Sequence, residues 1–104
     1  MTFICPASLI TEADAKGFKV NGRSLIVTRK NERIHVYVNS CPHLGINLEF
    51  QPDTFLDKDK RFIQCANHGA LFEIETGECL VGPCTGQFLT ALPFQVIDGN
   101  IILS

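Results

Sequence analysis

Two segments decide how this chain folds: Cys41-Pro42-His43-Leu44-Gly45 and Cys65-Ala66-Asn67-His68-Gly69. Each contains one cysteine and one histidine, spaced Cys-x-His in the first and Cys-x-x-His in the second, with 21 residues between His43 and Cys65. Thiolates and imidazoles are the side chains that soft and borderline metal ions prefer. Two short loops that each supply one thiol and one imidazole therefore predict a metal centre held between them.

The order of the four ligands suits a binuclear iron–sulfur centre held by two thiolates and two imidazoles. A mononuclear zinc site is an alternative, but zinc fingers usually pair Cys with Cys and His with His, with at least two residues inside the first pair. A cysteine nucleophile activated by a histidine base is another alternative, for which two separate Cys and His pairs would be redundant.

The chain resembles the Rieske family, and in particular its small soluble ferredoxins, from about Gly17 to the C-terminus. The two loops carry this resemblance together with three downstream features, Gly69-Ala70-Leu71-Phe72, Thr76-Gly77 and Gly82-Pro83. The resemblance implies one Rieske-type [2Fe-2S] cluster, with Cys41 and Cys65 on one iron and His43 and His68 on the other. It also implies an all-β fold, in which an antiparallel β-barrel or sandwich base supports a cluster-binding subdomain of two ligand loops.

The function implied by the resemblance is electron transfer between a reductase and an oxygenase or similar terminal enzyme, through transient complexes and without catalysis by this chain. A monomer is expected. Two alternatives stay open. The chain could be a fixed redox subunit of a larger complex, which would co-purify in a fixed ratio, or a structural or sensor metal module, which with zinc would be colourless.

The ligand set also predicts the range of the midpoint potential. Two thiolates and two neutral imidazoles bring two ferric ions and two sulfides to a charge of about zero, which favours reduction and gives potentials of roughly −150 to +300 mV. High-potential members of the family carry a Ser and a Tyr that donate hydrogen bonds to sulfur, and this chain has Ala70 and Phe72 there. The midpoint is therefore expected in the lower half of that range.

The length of 104 residues and a hydrophobic fraction of 45% predict a single domain over 1–104, with a cluster-binding subdomain at about 41–84 and a base formed by 1–40 and 85–104. A cytoplasmic location is expected, because no stretch resembles a membrane span or a secretory signal. Besides the two predicted cysteine ligands, Cys41 and Cys65, the chain has three cysteines, an odd number that a secreted disulfide scaffold would rarely contain. Cys79 and Cys84 are interpreted as small buried apolar residues, although they could also pair or line the cluster pocket.

The formal net charge of −2 is unevenly distributed. Residues 1–40 hold six basic and three acidic side chains, whereas residues 41–104 hold three basic and eight acidic ones. Nucleic acid is therefore not an expected partner of the ligand-bearing half. A redox protein with a basic docking surface would associate faster with it.

Alternating apolar residues and turn dipeptides predict short strands. The expected strands cover 18–20, 24–28, 33–39, 61–64, 71–74, 78–81, 94–97 and 100–103, with tight hairpins at Asn21-Gly22 and Asp98-Gly99. A helical turn capped by Thr11 is expected over 11–15, and a hairpin turn over 57–60. In the strand 33–39, His35 and Tyr37 are placed on the polar face, and His35 is not expected to be a ligand.

Overall fold

The structure is a computed structural model, and it describes residues 2–40, 56, 61–65 and 69–104. Within these residues it contains one short 3-10 turn at Ala7–Leu9 and otherwise only strands. In chain order the strands are β1 Thr2–Pro6, β2 Asp14–Val20, β3 Arg23–Lys30, β4 Arg33–Val38, β5 Phe62–Gln64, β6 Leu71–Glu73, β7 Cys79–Val81, β8 Phe94–Ile97 and β9 Asn100–Leu103. All their pairings are antiparallel, so the predicted all-β class is confirmed.

The strands form three sheets of three strands each. The terminal sheet has the order β1-β9-β8, the central sheet β2-β3-β4 and the small sheet β5-β6-β7. Strands of the small sheet are only three residues long, whereas β3 of the central sheet has eight. The small sheet is therefore the one with the fewest backbone hydrogen bonds of its own.

The central sheet is buried on both faces. Leu25, Ile26 and Val27 follow one another along β3 and are all 0% exposed. Because successive side chains of a strand point to opposite faces, such an unbroken buried run requires protein on each side of the sheet.

Two hydrophobic cores occupy the two faces of the central sheet. We call the first the aliphatic core, and its buried members are Ile4, Cys5, Ile10, Val20, Leu25, Val27, Val36 and Ile101. We call the second the cysteine core, and its buried members are Ala15, Ile26, Tyr37, Ile63, Cys65, Ala70, Phe72, Ile74, Cys79, Cys84 and Leu89. The central sheet thus connects the terminal sheet on one side with the small sheet on the other.

The two predicted tight hairpins are present. Asn21 and Gly22 join β2 to β3 with φ of 52° and 80°, and Asp98 and Gly99 join β8 to β9 with φ of 52° and 78°. Positive φ at both central residues matches the right-handed twist of the flanking strands, and Asn, Asp and Gly adopt it at low cost.

The segment before β2 differs from the prediction. No helical turn forms over 11–15, because Ala13 has φ of 57° and Asp14 already pairs with Arg29 in β2 and β3. The Ala13 N–H donates to the Arg29 carbonyl at 3.0 Å. A single helical turn is marginal by itself, so pairing with a long neighbouring strand outweighs the capping signal. Strand β1 was also not predicted.

Some predictions lie outside the described residues. These are the hairpin turn over 57–60, the whole first ligand loop over 41–45 and residues 66–68 of the second. The division into a base and a cluster-binding subdomain stays a prediction. Among the described residues, no helix has the length and apolar character needed to cross a membrane.

Candidate metal centre

Cys65 is the predicted ligand that the structure describes, and it lies at the end of β5. Its side chain is 0% exposed. Its N–H donates to the Ala70 carbonyl at 2.8 Å, and its carbonyl accepts from the Gly69 N–H at 3.0 Å. The φ of Gly69 is 65°, and its N–H is occupied by this hydrogen bond to the Cys65 carbonyl. Two backbone hydrogen bonds therefore link Cys65 to Gly69 and Ala70.

The other three predicted ligands, Cys41, His43 and His68, lie outside the described residues. The structure does describe the backbone that leads to Cys41. The Asn39 N–H donates to the Ser24 carbonyl at 2.8 Å, and the Ser40 N–H donates to the Val38 carbonyl at 2.9 Å. The end of β4 is thus tied to β3 immediately before the first loop begins.

The register of the small sheet groups several residues at the Cys65 end. Gln64 pairs with Leu71, and Leu71 pairs with Val81. The next residues outward from that row are therefore Cys65, Ala70 and Gly82.

Gly82 packs closely on Ala70. A Cβ atom added at Gly82 would lie 2.8 Å from the Ala70 Cα and 2.9 Å from the Ala70 Cβ, and the φ of Gly82 is 114°. Only glycine allows this backbone to approach so closely. The Gly82-Pro83 turn thus covers the residue whose carbonyl holds Cys65.

Tyr37 joins the central sheet to the small sheet, a role that the sequence analysis missed. Tyr37 is 2% exposed, and its hydroxyl donates to the Ile74 carbonyl at 2.6 Å. Burial, together with the negative charges of Glu73 and Glu75, raises the pKa of Tyr37 to about 12. The assignment of this face of β4 as polar was therefore wrong, because the small sheet covers it.

His35 lies on the same face of β4, two residues from Tyr37. Its ring stacks near the Tyr37 ring, with centroids 6.3 Å apart. Its Nε2 atom is buried and has no hydrogen-bond partner in the described part of the chain. Burial lowers the pKa of His35, and the charge of Glu75 partly opposes that shift. Among the described residues, no three His, Cys, Asp or Glu side chains are grouped so that they could hold a metal ion.

The two positions used to predict the potential are both buried. Ala70 and Phe72 are 0% exposed, and Phe72 pairs with Ile63 and with Cys79 across the small sheet. The Ala70 carbonyl accepts the hydrogen bond from the Cys65 N–H. Neither side chain contains a hydrogen-bond donor.

The residues present fit a [2Fe-2S] cluster of mixed ligation. Cys65 is excluded from water and its backbone N–H and carbonyl are both hydrogen-bonded, which suits a thiolate ligand in a partly desolvated site. The two thiols and two imidazoles of the loops are the donor set that such a cluster needs.

Comparison with known proteins identifies the family. The family described as the Rieske [2Fe-2S] domain matches residues 1–96. A curated relative from Ralstonia sp is described as the ferredoxin component of naphthalene 1,2-dioxygenase/salicylate 5-hydroxylase systems. It is 32% identical over 94 residues, which are 90% of this chain and 85% of the relative.

Solved structures show the same fold. The ferredoxin of carbazole 1,9a-dioxygenase from Nocardioides aromaticivorans IC177 matches with a TM-score of 0.77 and 19% identity, over 99% of this chain and 95% of the other. A chain from a complex of reduced oxygenase and oxidized ferredoxin in carbazole 1,9a-dioxygenase matches with a TM-score of 0.75 and 23% identity, over 98% of this chain and 90% of the other. At these identities the likeness establishes the fold alone.

Proposed function

This chain belongs to the Rieske [2Fe-2S] domain family, and on that premise we propose that Cys41, His43, Cys65 and His68 hold its cluster. The cofactor is one Rieske-type [2Fe-2S] cluster. Cys41 and Cys65 bind one iron, and His43 and His68 bind the other. The observation that supports this assignment is the buried Cys65, whose backbone is hydrogen-bonded to Gly69 and Ala70 at the same end of the small sheet as the Gly82 turn.

The function is electron transfer by a ferredoxin. When bound, the cluster takes up and releases one electron. The backbone hydrogen bonds of Cys65 hold the thiolate side of the site in place, and the buried Ala70 and Phe72 keep water away from it. A site with little freedom to rearrange would favour rapid electron exchange. The chemistry on an organic substrate belongs to the partner.

We propose that an oxygenase accepts the electron and a reductase supplies it, in the cytoplasm. The Ralstonia relative is a component of dioxygenase systems, and a structurally similar chain was solved together with an oxygenase. The complexes are transient and this chain is a monomer between encounters. A fixed redox subunit is the alternative, and it would co-purify with its partner in a constant ratio.

The partner docks at the Cys65 end of the small sheet. Val81 is 54% exposed there, and the exposed Pro83 follows it in the turn over Ala70. A small apolar contact of this kind suits the limited interfaces of short-lived redox complexes. Glu73 and Glu78 lie toward the opposite end of the small sheet, where the Glu73 N–H donates to the Glu78 carbonyl at 2.8 Å, so the proposed docking surface itself is apolar.

The ligand assignment is tested by replacing each ligand in turn and measuring iron, acid-labile sulfide and the EPR spectrum of the reduced protein. His43→Ala and His68→Ala should each lose or damage the cluster. His35→Gln is the matched control, because it removes the third histidine of the chain and should leave the spectrum unchanged. An unaltered spectrum in a ligand variant rejects that ligand, and a colourless protein that holds zinc rejects the cluster.

The docking surface is tested with two valines of similar exposure. Val81 is 54% exposed on the small sheet, and Val96 is 50% exposed on the terminal sheet. Val81→Asp should slow electron transfer to the oxygenase at least severalfold while the EPR spectrum is retained, and Val96→Asp should not. Equal rates in the two variants would place docking elsewhere on the molecule.

A further inference from the structure

Two cysteines outside the proposed ligand set lie unusually close together. Cys79 begins β7 and Cys84 lies in the turn that follows it, and both are 1% exposed. Their Sγ atoms are 2.9 Å apart. This distance is shorter than an ordinary contact between two sulfur atoms, but it is longer than the covalent bond of about 2.04 Å. Their interpretation as small apolar residues explains their burial but gives no reason for this contact.

The backbone holds both cysteines in this position. The Cys79 N–H donates to the Gln87 carbonyl at 2.8 Å, and the Cys79 carbonyl accepts from the Gly86 N–H at 3.1 Å. The Gln87 N–H in turn donates to the Cys84 carbonyl at 2.8 Å. Both cysteines are therefore anchored to the same short segment. A shift of less than about 1 Å between the two sulfurs would reach bonding distance.

The pair lies just beneath the surface. The turn that follows β7 is exposed at Gly82, Pro83, Thr85 and Gly86. Cys84, in the same turn, is buried. The Cys79 thiol also donates to the Val81 carbonyl at 3.3 Å. An oxidant would reach the sulfurs through a local opening of this exposed turn.

We propose that Cys79 and Cys84 form a redox-active dithiol that closes reversibly to an intramolecular disulfide by exchange with a small disulfide of the glutathione type. One thiolate attacks the small disulfide, which releases one glutathione thiol and leaves a mixed disulfide. The second cysteine then attacks that mixed disulfide and releases the second glutathione. The protein loses two electrons and two protons, and these are carried away as two glutathione thiols.

The disulfide acts on the turn that covers the ligand loop. Gly82 lies between the two cysteines in sequence and packs on Ala70, whose carbonyl holds the Cys65 N–H. Oxidation of the pair joins the two ends of this turn covalently and restricts its opening. Disulfide formation is separate from one-electron transfer, so this proposal can be tested independently of the proposed ligand assignment.

Cys5 provides the internal comparison. It is also buried, at 2% exposure, but it belongs to the aliphatic core on the other face of the central sheet. Burial raises the pKa of the Cys5 thiol, and none of the other described members of the aliphatic core is a cysteine with which Cys5 could form an intramolecular disulfide. Cys5 should therefore remain reduced under conditions that oxidise the pair.

The test uses the intact holoprotein in buffers of increasing glutathione disulfide. After an acid quench, the protein is unfolded, alkylated and cleaved without reductant by a protease specific for glutamate. Cleavage after Glu78 releases residues 79–104, which contain Cys79 and Cys84 and no other cysteine. We expect this fragment to lack both alkyl groups and to be lighter by two hydrogen atoms, with full reversal by dithiothreitol and with unchanged iron content.

Three results would overturn the proposal. They are a doubly alkylated fragment at every glutathione ratio, a fragment that carries only glutathione adducts, and a disulfide that forms only after iron has been lost. Cys84→Ser should abolish the internal disulfide, whereas Cys5→Ser should leave its formation unchanged. The measurement on the natural chain requires no variant, so it decides the matter even if Cys84→Ser does not fold. Amide exchange in residues 82–87 should slow by severalfold on oxidation.

Discussion

The aliphatic core and the cysteine core share the central sheet but are stabilised differently. The aliphatic core lies between long strands, with seven residues in β2 and eight in β3, and its members are mainly Ile, Leu and Val. The cysteine core lies against strands of three residues and includes three cysteines and two alanines. Each cysteine or alanine buries less apolar surface than an Ile, Leu or Val, and strands of three residues form fewer backbone hydrogen bonds than strands of seven or eight.

The cysteine core therefore depends on a few individual contacts. Tyr37 ties the small sheet to the central sheet through the Ile74 carbonyl, and Gly82 fits against Ala70. In the proposed assignment, the bond from Cys65 to the cluster would be a further contact of this core. We expect changes at these points to affect the cysteine core strongly and the aliphatic core weakly.

Removal of iron should have the largest effect. Metal binding contributes directly to the stability of small metalloproteins, and here the contribution is concentrated in the short strands. In the iron-free protein, amide exchange in β5 and β6 should rise by at least about tenfold, while β3 and β4 remain protected. Equal loss of protection in all four strands would show that the two cores unfold as one unit.

Gly82→Ala should give the second largest effect. The new Cβ would meet the Ala70 backbone at 2.8 Å and would also strain a φ of 114°. Gly86→Ala is the matched control, because Gly86 has φ of 91° in the same turn but open space around it. Gly82→Ala should therefore lose about 1–3 kcal/mol more unfolding free energy than Gly86→Ala, the cost of overpacking.

The two glycine variants are compared by chemical denaturation and by the EPR spectrum. Only Gly82→Ala should disturb the spectrum, since only it displaces Ala70. If both variants lose the same unfolding free energy, backbone strain alone explains the loss. The contact between Gly82 and Ala70 then makes no contribution to stability.

Tyr37→Phe should destabilise the protein by about 1–2 kcal/mol, because it leaves the buried Ile74 carbonyl without its donor. Thermal or urea unfolding measures the loss. Amide exchange should locate it in the small sheet. A loss spread evenly over the aliphatic core would contradict the role of Tyr37 as a connection between sheets.

His35→Phe tests whether the half-buried His35 of β4 makes the stability of the protein depend on pH. The pKa of folded His35 lies below its ordinary value of 6.5, so the unfolded chain binds a proton more readily and stability falls as the pH drops below about 6.5. Phe keeps an aromatic ring beside Tyr37 and removes the unpartnered Nε2. The variant should lose less stability than the natural protein between pH 7 and pH 5, as measured by urea unfolding.

Ala70→Ser and Phe72→Tyr are expected to act on the midpoint potential, which they should raise. Each adds a hydroxyl that can donate to cluster sulfur and so favour the reduced state. Protein-film voltammetry measures the shift. The absence of any rise in the double variant would contradict the assignment of these positions.

The sequence alone determined the features that depend on neighbouring residues. The hairpins at Asn21-Gly22 and Asp98-Gly99 could be predicted because turn conformation depends on the residues in the turn. The antiparallel all-β class followed from short alternating segments. The family could be recognised because the ligand motifs of its loops are local, with ligands two or three residues apart.

Only the tertiary structure decided the features that depend on distant residues. Period-two alternation placed His35 and Tyr37 on one face of β4 but could not show that the small sheet, more than 20 residues later, covers that face. The contact between Gly82 and Ala70 and the approach of the Cys79 and Cys84 sulfurs depend on the register and the turn that pack the small sheet. Burial and close contact are properties of packed surfaces, and a linear pattern specifies only one of the two surfaces that meet.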